Sequence, residues 1–154
     1  MIQTTIKNII ARKLKPSDAI GHPIYLFRED AIVFYVGQSR QPLTRFMEHL
    51  GQTWQADASE VGTLILEQAP HSGTWTYELW TLEDCAQYLE PGLVAGDVDD
   101  AETALIRHFH PCFNVRYNLN PTPLPERYQK DDGNPYGAIM ERMFGIKPLE
   151  ENEA

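Results

Sequence analysis

Two short runs, Ile24 to Phe27 and Ile32 to Val36, are almost continuously apolar and are separated by a turn containing the polar residues Arg28, Glu29 and Asp30. β-Branched and aromatic residues in runs of this length read as strands, and the short polar break reads as a hairpin turn. Strands with one wet face alternate between apolar and polar residues. These do not, so the sheet they start is expected to be covered on both faces. A chain of 154 residues has room for one such domain with a real core and not for two.

The remaining pattern supplies the covering elements. Ile2, Ile6, Ile9, Ile10 and Leu14 recur at helical spacing, with Lys7, Arg12, Lys13 and Lys15 on or near the other side. This predicts an amphipathic basic helix within residues 1–19 that packs on the core. Pro42 is placed to open a helix that Gly51 ends, with Leu43, Phe46, Met47 and Leu50 as its apolar stripe and Arg45 and His49 side by side next to it. Residues 58–68 read as helix, although Leu64, Ile65 and Leu66 could equally be strand; Trp75 to Trp80 reads as a third strand, and Thr81 with Asp84 as a capping box. Asp99 and Asp100 start a further helix that stops before Pro111. From residue 119 onward Pro, Asn and charge dominate, which predicts an extension over 119–154 with a late helix at Tyr136 to Phe144 and a frayed acidic end. The expected fold is α+β: a small, mainly antiparallel sheet of three strands, hairpin plus one later strand, flanked by helices.

Charge narrows the choice of partner. A net charge of -9 argues against a protein that coats nucleic acid indiscriminately, because phosphate binding needs Lys and Arg. The distribution is uneven. Residues 51–100 hold ten acidic residues and no Lys or Arg, whereas residues 1–50 hold seven cations against four anions. A polyanion would be met by the first third of the chain. No apolar run approaches a membrane span and the start lacks a signal-peptide stretch, so a cytoplasmic location is expected. Cys85 and Cys112 form neither a disulfide framework nor a zinc pattern and read as reduced small hydrophobes.

One residue does not suit a simple core. Glu102 shares a helical stripe with Leu105, Ile106 and Phe109, and a carboxylate there is costly to bury unless it is paired, hydrogen-bonded or metal-bound. It is therefore a candidate metal ligand; the alternative is a first-turn Glu favoured by the helix dipole and reaching solvent. Arg45 has its own reading, since a planar guanidinium fork matches phosphate oxygens, with a solvated helix-face cation beside Glu48 as the alternative. His108 and His110, two apart on a helix, point in different directions and do not read as a shared metal site.

The order Pro23-Ile24-Tyr25 on one strand, Tyr35-Val36-Gly37 on the next, Arg45 and His49 on a helix, Glu102 on a later helix and then Asn114 resembles the GIY-YIG nuclease domain over residues 20–118. Pro23 replaces the usual Gly of the first tripeptide, Val36 replaces Ile, and Gln38 stands where some members have Lys. The resemblance implies a metal-dependent endonuclease that hydrolyses a DNA phosphodiester, with Tyr25, Tyr35, Arg45, His49, Glu102 and Asn114 as site residues. Tyr25 is the preferred general base, Tyr35 positions water or phosphate, His49 orients the base or takes its proton, and Asn114 buttresses the site. Since one acidic residue is placed for a metal, one Mg2+ (or Mn2+) at Glu102 is expected. A free phenol is a poor base at neutral pH, so Arg45, the metal or both must lower its pKa.

Members of that family serve in excision repair, junction resolution, restriction and homing. The sequence shows no zinc-finger or helix-turn-helix pattern, so DNA affinity is expected from Lys7, Arg12, Lys13, Lys15, Gln38, Ser39 and Arg40, from a homodimer, or from an accessory DNA-binding partner. RNA stays open as substrate because nothing in these residues distinguishes a 2'-hydroxyl. The alternative to an enzyme is a binding or assembly module that keeps the fold and cuts little.

Overall fold

The computed structural model describes residues 1–52 and 57–129. Residues 1–124 form one compact unit and 125–154 a second. In the second, Glu126–Tyr128 form a single 3-10 turn; the expected late helix and acidic tail lie outside the described residues.

The first unit is α+β, built on one antiparallel sheet of four strands rather than three. In chain order these are β1 (Ile2–Thr5), β2 (Ile24–Glu29), β3 (Ile32–Gln38) and β4 (Thr76–Trp80), and their spatial order is β1-β4-β2-β3. The fourth strand comes from the segment expected to be helical. Helical spacing of its isoleucines is real, but Ile2, Thr4 and Thr5 are β-branched and pair in register with Leu79, Tyr77 and Thr76 on β4. Thr5 then turns the chain by capping α1 (Ile6–Ile10), its hydroxyl accepting the Asn8 N–H at 3.1 Å. Arg12, in a left-handed conformation with φ 56°, lies beyond the end of that helix, so Leu14 is not on it.

The hairpin forms where expected, with the turn one residue later. Glu29 pairs with Ile32, and Asp30 takes the positive φ of 50° that the two-residue turn needs and Asp tolerates. A bulge follows: Phe27 faces Tyr35 and Arg28 faces Val33, leaving Phe34 as the extra residue. Because of it, Val33 and Val36 join the same core despite their odd spacing.

Each sheet face has its own core. On one, α5 (Val98–Phe109) and α4 (Leu82–Cys85) cover Ile24, Leu26, Val33, Val36 and Trp80 with Ala101, Leu105 and Ile106. On the other, α2 (Pro42–His49) brings Phe46 onto Phe27 and Tyr77, whose rings stack with centroids 4.8 Å apart. The Tyr77 hydroxyl donates to the Pro42 carbonyl at 2.8 Å, tying β4 to the start of α2. The capping box is present, with Thr81 and Asp84 satisfying each other's backbone N–H groups. Among the described residues no helix is long and apolar enough to cross a membrane. Both cysteines are free, Cys85 being buried.

Candidate active site

The site wraps around β3 from both sheet faces. On the α2 side, Tyr25 crosses over its strand partner Gly37, and a Cβ at Gly37 would lie 2.4 Å from both Cζ and the hydroxyl of that ring. Glycine at this position is thus a requirement of close approach. Tyr25 is almost fully buried among Phe27, Tyr77, Tyr35 and His49. Its hydroxyl and His49 Nε2 are 2.7 Å apart. The centroids of Tyr35 and His49 are 5.3 Å apart and those of Tyr25 and Tyr35 6.3 Å, so the three rings form one cluster.

His49 sits at the end of α2 against the start of α3 (Glu60–Glu67). Its Nδ1 is 2.6 Å from the hydroxyl of Ser59, and the Ser59 N–H donates to the His49 carbonyl at 2.9 Å. Burial, reinforced by the nearby positive charge of Arg45, holds the imidazole down at about 4, so it is neutral at physiological pH. Arg45 pairs with Glu48 and also reaches the site. Nη1 donates to Glu48 at 2.8 Å, which is the main reason its pKa is raised, and the same guanidinium lies against the Tyr25 hydroxyl. The second contact does not activate the phenol by itself. Burial raises the Tyr25 pKa more than Arg45 lowers it, with Tyr35 adding to the rise. Tyr35 is raised as well, by burial first and then by the charge of Glu102.

On the α5 side, Glu102 lies at the margin of the buried stripe made by Ala101, Ala104 and Leu105. It faces a cleft of about 520 Å³ whose walls include Tyr35, Gln38, Asp99, Asn114 and Arg116. Burial raises the Glu102 pKa and Asp99 adds to it, while Gln38 and Arg116 oppose the rise. The Gln38 side chain donates to Asp99 at 2.7 Å, so it is held among the carboxylates instead of projecting towards a phosphate. Among the described residues no group of three or more His, Cys, Asp or Glu is placed to hold a metal. The donors in this cleft are nonetheless all hard oxygens: the carboxylates of Glu102 and Asp99, the amide oxygen of Gln38 and the hydroxyl of Tyr35. That set fits Mg2+ or Mn2+ retaining most of its water, and does not fit a softer ion.

Asn114 works on the backbone. Its Oδ1 accepts the Val36 N–H and its Nδ2 donates to the Val36 carbonyl, both at 2.9 Å. Cys112 and Phe113 donate to the Val33 and Phe34 carbonyls, so residues 112–114 close the outer edge of β3 beside Tyr35. Asn118 holds this loop through the carbonyls of Pro111 and Asn114 at 2.7 and 2.8 Å.

Tyr25, Tyr35, Arg45, His49 and Glu102 are therefore brought together, with Asn114 bracing the strand between them. Other predicted residues are elsewhere. Ser39 and Arg40 line a separate hollow of about 440 Å³ with Ala19, His22, Pro23 and Leu82. Lys7 is on α1, and Arg12, Lys13 and Lys15 follow it, next to an edge strand that β4 separates from β2. Ser59, Asp99, Arg116 and Asn118 were not singled out in the sequence. Asp99 alone had a usable signal, lying three residues before Glu102 and hence on the same side of one helix. No known protein family, curated protein or solved structure matches the chain. What these residues can do follows from their chemistry and placement.

Proposed function

We propose that this protein is a metal-dependent endonuclease that hydrolyses a DNA phosphodiester through a single-metal site of the GIY-YIG type. The observation that carries the reading is the convergence on β3 of two phenols, an imidazole, a guanidinium and a half-buried carboxylate drawn from four separate elements. Phosphodiester hydrolysis needs charge neutralisation, an activated water and help for the leaving oxygen. Arg45, next to the Tyr25 hydroxyl, neutralises a phosphate oxygen with a planar N–H fork. Tyr25 takes the proton of the attacking water, and His49 Nε2, 2.7 Å away, is placed to receive the proton that Tyr25 then gives up. Tyr35 shares the Glu102 cleft and orients water or phosphate from the other side. Glu102, with Asp99 and Gln38 beside it, would hold a divalent cation, which supplies charge neutralisation at the phosphate and at the departing 3' oxygen. Since burial and Tyr35 raise the Tyr25 pKa more than Arg45 lowers it, Tyr25 does not act as a free phenolate but passes a proton on to His49 as it takes one from water.

Affinity for the duplex comes, in this proposal, from the exposed cations Lys7, Arg12, Lys13, Lys15 and Arg40, supplemented by a second copy or an accessory DNA-binding partner. The deciding experiment incubates supercoiled plasmid with the purified protein in Mg2+, in EDTA, and with Glu102→Ala in parallel. Nicking or linearisation that requires both Mg2+ and Glu102 is the expected result. If wild type and Glu102→Ala bind DNA equally and neither cuts, the chain is a binding module and the nuclease reading is wrong.

A further inference from the structure

His49 is hydrogen-bonded at both ring nitrogens, to the Tyr25 hydroxyl at 2.7 Å and to the Ser59 hydroxyl at 2.6 Å. A neutral imidazole carries one N–H, so one of these bonds is donated and the other accepted. The acceptors within reach of the Tyr25 O–H fix the direction. The guanidinium of Arg45 beside that oxygen can only donate, whereas His49 Nε2, the hydrogen-bond partner of the Tyr25 hydroxyl, can accept its proton. The single imidazole proton is then on Nδ1 and points at Ser59 Oγ. That oxygen already caps α3, accepting the Gly62 N–H at 3.1 Å, and its second lone pair receives the Nδ1 proton.

A second observation shows that the chain is built to bring Ser59 there. Gly62 sits in the first turn of α3, where glycine weakens a helix. A Cβ at Gly62 would lie 1.6 Å from the carbonyl oxygen of His49. The first turn of α3 therefore packs backbone to backbone on the end of α2, which is what places the Ser59 hydroxyl against the ring.

We propose that Ser59 is a positioning residue of this site, accepting the Nδ1 proton of His49 and so holding the imidazole in the tautomer whose Nε2 can take a proton from Tyr25. The inference rests on the nuclease reading for its consequence, and the proton balance is closed. As a water O–H bond breaks, its electron pair stays on the attacking oxygen and its proton bonds to the Tyr25 oxygen. The former Tyr25 O–H bond breaks and a His49 Nε2–H bond forms, leaving an imidazolium still anchored through Nδ1–H to Ser59. With the tautomer reversed, Nε2 would already bear hydrogen and the proton would have nowhere to go.

The test combines 15N NMR of histidine-labelled protein with single-turnover cleavage of DNA in Mg2+, using wild type, Ser59→Ala, Ser59→Gly and Ser59→Asp. Wild-type His49 is expected to be protonated at Nδ1 and bare at Nε2. Ser59→Ala should lose that preference and slow cleavage about 10- to 100-fold with little change in KM, the usual scale for a residue acting through another. Ser59→Gly keeps an acceptable helix cap without the hydroxyl and should lose as much, which separates the ring contact from capping. Ser59→Asp, which can cap and can only accept, should restore the tautomer and recover cleavage relative to Ser59→Ala. A wild-type His49 protonated at Nε2, or Ala and Gly variants with unchanged tautomer and rate, would overturn the proposal. If wild type does not cut DNA at all, the nuclease reading fails, and the tautomers alone then decide whether Ser59 holds the ring.

Discussion

Substituting Gly37 by alanine sets two effects of opposite sign against each other. Its φ is not in the left-handed region, so alanine suits the backbone, and the lost freedom of the unfolded chain would by itself stabilise the protein by about 0.4–1 kcal/mol. Against this, the new methyl would lie 2.4 Å from Cζ and the hydroxyl of Tyr25, a ring that is 1% exposed and enclosed by Phe27, Tyr77 and His49. The ring has no free space to swing into, and overpacking of this kind costs about 1–3 kcal/mol. The clash wins, with a net loss of about 1–2 kcal/mol and a fall in Tm of roughly 2–8 °C. Moving the ring also breaks the 2.7 Å contact with His49, so cleavage should fall by about 10²–10⁴, the range of a general base. Urea and thermal unfolding are measured beside Gly73→Ala, where the added methyl meets the Lys7 Cβ at an ordinary 3.4 Å and stability should hold or rise. If the two variants are equally stable and equally active, the placement of Tyr25 over Gly37 is wrong.

Four further outcomes follow from the same geometry. Glu102→Gln should abolish Mg2+-dependent cleavage while leaving the unfolding midpoint at or above that of wild type, since it removes a carboxylate whose charged form is disfavoured by burial; a variant that still cuts would remove Glu102 from the site. Asn114→Leu leaves the Val36 N–H and carbonyl without their partner and should cost about 2–4 kcal/mol, with the Val36 amide exchanging faster in hydrogen-exchange NMR. Because folding lowers His49 from 6.5 to about 4, the unfolded chain binds a proton that the native state refuses between those values, so stability is lost as pH falls through that window, by at most about 3 kcal/mol. The raised carboxyl of Glu102 acts in the opposite sense, its destabilisation being relieved as it protonates, so the comparison is made between wild type and His49→Gln, whose urea midpoint should depend less on pH; an unchanged profile would contradict the buried neutral ring. Charge reversal at Lys7, Arg12, Lys13 and Lys15 together should weaken DNA binding and flatten its dependence on salt, and an unchanged slope would remove them from the interface.

The elements that local chemistry dictates were legible in the sequence. The hairpin, the helix opened by Pro42, the capping box at Thr81 and the helix carrying Glu102 all follow from periodicity and caps, and the structure has each of them. β1 was not legible because Ile2, Ile6 and Ile9 satisfy a helical period as well as the β-branched segment Ile2–Thr5 satisfies a strand. The choice is made by β4, a partner more than 70 residues away in the chain, which offers Ile2–Thr5 a free edge. The site divides in the same way. Glu102 stood out because a carboxylate conflicts with an apolar stripe, and Arg45 and His49 because they share one side of a helix. Ser59 and Gly62 did not stand out within residues 58–68, since what gives them their place is the approach of one backbone to another, which no spacing encodes. Asp99 read as a helix-opening acid, and only the cleft makes it a neighbour of Glu102 and a partner of Gln38.

The loop that braces β3 also decides how copies of this chain can meet. A strand at the rim of a sheet displays unpaired N–H and carbonyl groups to any other extended chain, and is a common route to aggregation and domain swapping. Here Cys112 and Phe113 occupy the carbonyls of Val33 and Phe34, and the amide of Asn114 imitates a peptide unit against Val36. The rim next to Tyr35 is thereby closed to strand addition at Val33, Phe34 and Val36, so a second copy cannot pair with the sheet there, beside the cleft that Glu102 faces. At the opposite rim, β1 has β4 as its one strand neighbour among the described residues. The rim formed by β1 is the one on the far side of the sheet from β3 and from the cleft.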